Sequence, residues 1–176
     1  SEVETDWQGE VFNENAPIQN YSLSVDGASD ILNYALSANY FNQQGTIIGS
    51  DYERLSIRAN SSIQATKWLK VGENVTFSTF GGRNATVNNA SPGSSILSAA
   101  LSMAPWDPAY YPVGSVNING DDLSGRTAAS SNFKNVVNPM TMVNESFPED
   151  RYQRLVGDVF IELTPIKGLL IKSTAS

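Results

Sequence analysis

The stretch Asn20-Tyr21-Ser22-Leu23-Ser24-Val25 alternates polar and apolar side chains, and this alternation decides the fold. Because successive side chains of a β-strand point to opposite faces, the stretch predicts a sheet with one apolar and one polar surface. The same period of two recurs at Tyr34–Tyr40, at Leu55–Ile63 and at Leu155–Leu163. The chain is therefore predicted to be all-β.

The alternating segments group into hairpins at about 19–41, 54–80 and 152–176. Their turns are predicted at Gly27–Asp30, near Ala65–Lys67 and at Pro165–Gly168, where turn-forming residues gather. A long connection at about 81–150 separates the second hairpin from the third. Loops longer than about 15 residues are usually functional or disordered.

One short helix is predicted inside this long connection, from Ser94 to Ala104. Its apolar residues recur at helical spacing, and Pro92 and Pro105 flank it.

The short connections all fall at one end of the predicted sheet and the longer ones at the other. Transmembrane β-barrels have this asymmetry, with short periplasmic turns and long extracellular loops. We therefore predict an antiparallel up-and-down meander of about six strands belonging to a transmembrane barrel. A soluble carbohydrate-binding or adhesin-like β-sandwich, which has the same alternation, is the alternative.

Composition excludes several classes of function. The net charge is −7 and no cluster of Lys or Arg occurs, so nucleic acid is not expected as a partner. The chain has no cysteine and no histidine, which removes the commonest metal ligands and general base. No apolar run approaches the roughly 20 residues of a membrane-spanning helix. The chain begins at Ser1 without a methionine and stops inside a predicted strand, so we expect it to be a piece of a longer polypeptide.

Several short motifs, taken in their order and spacing, resemble the barrel region of SusC/RagA-type TonB-linked outer-membrane proteins. The resemblance runs from Thr5 nearly to the end of the chain and is weakest between Gly81 and Ser131. The motifs are Thr5-Asp6-Trp7-Gln8, Ala16-Pro17-Ile18-Gln19-Asn20-Tyr21, Tyr40-Phe41-Asn42-Gln43-Gln44-Gly45, Thr66-Lys67-Trp68-Leu69, Asn138-Pro139-Met140 and Arg154-Leu155-Val156-Gly157.

The resemblance implies a large barrel of the plugged, 22-stranded type in the outer membrane of Bacteroidetes-like bacteria, with this chain as part of its wall. It further implies import of glycans or peptides, energised by TonB, together with a SusD-like surface lipoprotein that acts as a lid. The plug and the TonB-contacting motif would lie upstream. Outer-membrane lipid would contact the apolar face, and no cofactor is implied.

Three charged residues on the predicted polar face, Arg58, Asp158 and Glu162, are expected to face the barrel lumen. They either line a substrate path or pair with the plug and with neighbouring strands. Glu73 interrupts the apolar face between Val71 and Val75, either near the periplasmic rim or at a bulge. Aromatic residues near strand ends are expected to form the membrane-interface girdle or to face lipid rather than to stack on a ligand; these are Tyr34, Tyr40, Trp68 and Tyr152.

The long loop contains the strongest ligand or partner candidates, Trp106, Tyr110 and Tyr111, in a stretch that Pro105, Pro108 and Pro112 stiffen. Flat rings held rigidly suit sugar stacking and partner docking, and packing within the loop itself is the alternative.

Two further site hypotheses are weaker. The stretch Asn117–Asp122 offers oxygen ligands, but it lacks the spacing and the closing Glu of a calcium loop, so an Asx-rich turn is expected and no metal site is predicted. Carboxylates for a glycosidase pair are present in the loop, but nothing in the sequence fixes two of them at a working separation. We therefore expect no catalytic residues and no enzyme activity. The carboxylates concerned are Asp107, Asp121, Asp122, Glu145, Glu149 and Asp150.

Overall fold

The computed structural model describes residues 4–84, 95–129, 136–145 and 149–176. They divide into two compact units. The sheet unit consists of Ile18–Gln43, Tyr52–Gly81 and Asp150–Ser176, and the loop unit consists of Ser1–Pro17, Gln44–Asp51 and Gly82–Glu149.

The strands form one six-stranded sheet in which every strand neighbours the next one along the chain. The strands are β1 (Ile18–Ala28), β2 (Leu32–Gln44), β3 (Asp51–Thr66), β4 (Leu69–Arg83), β5 (Glu149–Leu163) and β6 (Ile171–Ala175). The predicted all-β antiparallel meander is confirmed. Several strands extend a few residues past the predicted ends, whereas β6 is shorter than predicted.

Cross-strand pairing sorts the side chains onto the predicted faces. Tyr21 pairs with Tyr40, and Val25 pairs with Leu36, so the apolar residues of β1 and β2 share one face. These apolar side chains are exposed: Leu23, for example, retains 71% of its accessible surface. A sheet with such a face buries no core of its own.

The short turns lie beside one another at one end of the sheet. The backbone N–H of Gln64 donates to the Ile31 carbonyl, and that of Thr164 donates to the Trp68 carbonyl. In the first turn the Ser29 hydroxyl accepts from the N–H of Leu32 at 3.1 Å. Hydroxyl acceptors of this kind are typical of tight turns.

Glu73 is an acidic residue on the apolar face of β4, and the strand pairing is regular at this position. It pairs with Ser61 of β3, whose hydroxyl donates to the Glu73 carboxylate at 3.3 Å. The only register shift between β3 and β4 falls at Gln64 and Thr66, near the turn. A bulge therefore does not explain Glu73, and a polar partner on the neighbouring strand accompanies it instead.

Two glycines allow close approach between β4 and its neighbours. A Cβ at Gly72 would collide with the ring of Phe160 and with the Ser61 carbonyl oxygen, so the ring lies over this position. A Cβ at Gly81 would collide with the Asp150 carbonyl oxygen. Larger side chains at either position would force β4 away from β5.

The loop unit contains three short helices around a small core. They are α1 (Trp7–Val11), α2 (Ile96–Ser102) and α3 (Pro139–Glu145). Asp6 caps α1 by accepting from the N–H groups of Gln8 and Gly9, and Ser95 caps α2. The core residues are Trp7, Val11, Ile47, Ile96, Ala100, Met103, Ala109 and Met140. The helix predicted at 94–104 corresponds to α2, which ends at Ser102, and Ser94 lies outside the described residues. The helices α1 and α3 were not predicted.

Two buried side chains of the loop unit, those of Trp7 and Asn138, form hydrogen bonds to backbone carbonyls of other segments. The indole Nε1 of Trp7 donates to the Ala104 carbonyl at 2.8 Å. Asn138 donates through Nδ2 to the carbonyls of Ala109 and Ala128, each at 2.8 Å, and accepts the Met140 N–H. These bonds connect segments that lie far apart in the sequence. Within the described ranges, no helix has the length and apolar character needed to cross a membrane.

Candidate functional site

The polar face of β2, β3 and β4 contains a groove of about 380 Å³. Across its floor the hydroxyls of Ser56 and Ser78 hydrogen-bond to each other at 3.1 Å, and these two residues are direct cross-strand partners. The groove is lined by Ser37, Asn39, Arg54, Ser56, Arg58, Thr76 and Ser78. Alternation along the three strands brings these polar side chains to one surface.

Two arginines, Arg54 and Arg58, supply the charge of this groove. The guanidinium of Arg54 lies over the Phe41 ring, 5.7 Å from its centroid, and Arg54 pairs across the strands with Phe80. Arg58 pairs with Thr76. Neither arginine forms an ion pair with any residue that the structure describes.

An aromatic row continues along the polar face beside Arg54. Phe41 contacts Tyr52 edge to face, with centroids 6.1 Å apart, and Phe80 stacks on Tyr152 at 5.7 Å. Because Phe80 is the cross-strand partner of Arg54, Tyr152 lies on the polar face. The expectation that Tyr152 is a girdle or lipid-facing residue is therefore wrong, since its strand begins at Glu149 and puts the ring in phase with the polar positions.

The other two charged residues expected in the lumen have partners on the same face. Asp158 accepts from the amide of Asn74 at 2.8 Å. Glu162 forms an ion pair with Lys172 at 3.0 Å, and the Lys172 ammonium also lies 4.4 Å from the centroid of Phe160. Of the three, only Arg58 lines the groove. Their role in a lumen stays a prediction.

The remaining strand-end aromatics lie on the apolar face or in a turn. Tyr40 stacks on Tyr21 with centroids 6.4 Å apart, and the Tyr34 ring lies over Gly27, where a Cβ would collide with it. Trp68 lies in the turn between β3 and β4 and is exposed. Their expected contact with lipid or interface also stays a prediction.

The aromatic trio of the loop unit divides into exposed and packed members. Trp106 is 60% exposed and Tyr110 is 38% exposed, whereas the Tyr111 hydroxyl accepts the Ala129 N–H at 3.2 Å. Burial raises the pKa of the Tyr110 phenol, and the carboxylate of Glu10 raises it further. Tyr111 thus contributes to loop packing, while Trp106 presents a free ring.

The stretch that offered oxygen ligands forms a hydrogen-bonded turn at the tip of a small antiparallel arm. The Asn117 Oδ1 accepts from the N–H groups of Asn119 and Asp121, and its Nδ2 donates to the Asp121 carboxylate at 2.8 Å. Hydrogen bonds from the Ser124 hydroxyl and N–H lower the pKa of Asp122. Within the described residues, no group of three potential metal-ligating side chains occurs.

The sequence analysis missed Arg54, Phe41 and Phe80 as members of the candidate site. A signal for Arg54 is present, because Arg54, Ser56 and Arg58 occupy alternate positions of one strand and must share a face. The two phenylalanines carried no such signal. They occupy polar-phase positions near strand ends, where a single sequence gives no indication of cross-strand partners.

No family model matches the chain, whereas curated proteins match it in sequence and solved structures match it in fold. Two TonB-dependent receptors of Formosa agariphila are 32% and 31% identical, over 97% and 92% of this chain. The chain spans only 16% and 14% of their length.

Two solved structures of the RagAB system, one titled a peptide transporter and the other a peptide importer in a closed-closed state, contain the same fold. They align over 97% of this chain and 18% of theirs, with TM-scores of 0.71 and 0.68 and sequence identities of 25% and 24%.

Proposed function

Because the chain belongs to the TonB-dependent receptors of the SusC/RagA type, we propose that it forms about six strands of the wall of an outer-membrane nutrient transporter. The parent protein imports glycans or peptides with energy from TonB. Its apolar face contacts outer-membrane lipid, and its polar face lines the lumen, so that Arg58, Asp158 and Glu162 point inward.

The observation that carries this proposal is the exposure of the apolar face. Leu23, Leu36 and Ile57 lie on the same face as other large apolar residues, and all retain much of their accessible surface. Exposed apolar patches of this extent mark contact with another apolar phase. Most of the alternate positions on this face are apolar, which is the pattern of a barrel wall in lipid.

The alternative β-sandwich is less consistent with the arrangement of the strands. A sandwich buries its apolar face against a second sheet at a spacing of about 10 Å. All strands that the structure describes belong to one sheet. An enzyme is also disfavoured, because the curated relatives are receptors and the described carboxylates Asp121 and Asp122 are engaged in turn hydrogen bonds.

A surface lipoprotein of the SusD type is the proposed partner of the loop unit. Support comes from the exposed ring of Trp106 and from the similarity to the RagAB peptide transporter. Extended loops on a rigid scaffold are the usual place for recognition. Trp106, Tyr110 and Tyr111 are the proposed contact residues, with Tyr111 acting through the packing of the loop.

The barrel proposal is tested by labelling adjacent positions of one strand. The chain contains no cysteine, so Leu23→Cys and Ser24→Cys, made in the full-length receptor, introduce single probe sites on opposite faces within this segment. With a fluorescent label and the receptor reconstituted in vesicles, we expect brominated lipid to quench the label at position 23 and aqueous iodide to quench that at position 24. Equal quenching of both labels by iodide would contradict a lipid-facing wall.

A further inference from the structure

We propose that the groove on the polar face of β2, β3 and β4 binds an oligosaccharide that carries a carboxylate or sulfate group. This inference rests on the proposed function, since it assigns a substrate class to the lumen face of the transporter. It concerns the seven groove-lining residues Ser37, Asn39, Arg54, Ser56, Arg58, Thr76 and Ser78.

The charge of the groove opposes the charge of the chain. The chain carries a net charge of −7, yet the groove lining contains two arginines and no acidic residue. Elsewhere on this face the cation of Lys172 is neutralised by Glu162, whereas Arg54 and Arg58 have no carboxylate partner among the described residues. Arginine stays charged at any physiological pH, so the groove attracts anions throughout that pH range.

The geometry of the two arginines suits an extended solute. Arg54 and Arg58 are four positions apart on one strand, which separates their Cα atoms by about 13 Å at the usual rise per residue. Ser56 lies between them on the same face of β3. A planar guanidinium offers two parallel donors to a carboxylate or sulfate, which makes it the preferred residue for such anions.

The aromatic row holds Arg54 in place. Phe41 lies beneath its guanidinium at 5.7 Å, and Phe41 is itself held by edge-to-face contact with Tyr52. A charged group that is fixed before binding loses less conformational entropy when the ligand arrives. The exposed rings of Tyr52 and Tyr152 extend this row and provide flat surfaces beside the groove.

The uncharged lining favours a sugar over a peptide. Its four hydroxyl groups both donate and accept hydrogen bonds, which matches the hydroxyl groups of a saccharide. The Asn39 amide nitrogen donates to Asn20 and Ser22 of β1, and its oxygen adds an acceptor to the lining. None of the seven lining residues has an aliphatic or aromatic side chain, so apolar side chains of a peptide would find no pocket there. An acidic saccharide offers an anionic group to the two arginines and hydroxyl groups to the hydroxyl side chains of the lining.

The test measures binding of defined trisaccharides to the purified full-length receptor in detergent, by titration calorimetry. The probes are tri-galacturonate, a sulfated galactose trisaccharide and the neutral galactose trisaccharide. We expect at least one acidic probe to bind about tenfold or more tightly than the neutral probe, and its affinity to fall as NaCl is raised. Which acidic probe binds identifies the oxyanion.

The double variant R54Q/R58Q should weaken the acidic probe by about 100-fold, because one charge-assisted hydrogen-bonding group is lost at each position at about tenfold each. Affinity for the neutral probe should change little. The matched control is Arg154→Gln, which removes the same charge from the polar face of β5, outside the groove. We expect this control to bind every probe as the parent does.

Three results would overturn the inference. The first is equal affinity of the parent for acidic and neutral probes, and the second is unchanged binding by R54Q/R58Q. The third is that the acidic peptide tri-glutamate, added as a further probe, binds more tightly than either acidic saccharide. The comparison of probes on the parent needs no variant, so a failure of R54Q/R58Q to assemble leaves the test intact. The vesicle labelling described above tests independently whether the segment forms a barrel wall that faces lipid. A correctly labelled barrel without acidic preference therefore refutes only this inference.

Discussion

The sheet unit and the loop unit treat apolar side chains in opposite ways. In the sheet unit, large residues such as Leu23 and Val159 are more than half exposed, and they lie in register along one face. In the loop unit, Trp7, Val11 and Ile96 are almost completely buried in a core shared by the three helices.

Under the proposed function, this difference reflects two different solvents. A segment that folds against water buries its large apolar residues. A wall that folds in lipid exposes them, because lipid tails solvate these side chains and the backbone hydrogen bonds of the sheet are satisfied between strands. One chain of 176 residues therefore combines a small water-type core with a lipid-type sheet.

The largest effect is expected in the water-type core, from Trp7→Ala. This change removes a ring that is only 5% exposed and its hydrogen bond to Ala104, which should destabilise the loop unit by about 3–5 kcal/mol. Hydrogen exchange on the full-length receptor should report faster exchange at Val11 and Ile96, with unchanged protection in β1 and β2. Loss of protection throughout β1 and β2 as well would contradict the independence of the two units.

The next largest effect is expected on the lipid-type sheet, from Ile57→Arg. An arginine on the lipid face near the bilayer midplane costs about 2–4 kcal/mol. We expect less heat-modifiable, assembled barrel in outer-membrane fractions of cells that express the full-length variant. Ser24→Arg, on the polar face, is the matched control and should assemble normally. Equal assembly of both variants would mean that the faces are wrongly assigned.

A smaller effect is expected from Asn138→Ala. Its amide satisfies the buried carbonyls of Ala109 and Ala128, and leaving buried acceptors unpaired costs about 1–3 kcal/mol. Limited proteolysis of the full-length receptor should then cleave within 105–129 several times faster. Asn119→Ala, an exposed position at the tip of the arm, serves as control and should leave the cleavage rate as in the parent. An unchanged rate for Asn138→Ala would mean that these bonds do not hold the loop segments together.

The smallest effect on folding, but a functional one, is expected from Trp106→Ala combined with Tyr110→Ala. Both rings are partly exposed, so their removal should weaken lipoprotein association or nutrient uptake by about tenfold while barrel assembly stays intact. Leu101→Ala, an exposed apolar residue of α2, controls for general loss of apolar surface. Normal uptake and normal complex formation would assign the rings to packing of the loop.

Most of the sheet was predictable because its determinant is local. Alternation with a period of two depends only on neighbouring residues, and it located all six strands and the faces of residues such as Leu23 and Ile57. The family resemblance then indicated the barrel, which the comparisons support. Strand ends were less accurate, since several strands extend past the last clear alternation.

The unpredicted features depend on contacts between distant segments. The helix α1 has five residues, which is too short for a helical period to be recognised. Trp7 of α1 and Met140 of α3 lie in the core that the helices share, and this contact is not visible in the sequence. The face of Tyr152 is an exception, since it follows from the alternation within β5 once that strand begins at Glu149. The contact of Phe41 with Arg54 depends on how β2 lies against β3.

The long connection leaves the sheet after β4 and returns to it in β5, the adjacent strand, at the point where Gly81 meets Asp150. Adjacent strands lie about 4.8 Å apart, so the inserted segment begins and ends almost at one place. Lengthening such an insertion twofold costs only about 0.6 kcal/mol in closure entropy. The connection can thus be exchanged as a unit. Chimeras that carry another receptor's segment between Gly81 and Asp150 should keep the strand register of the host and acquire the recognition properties of the donor.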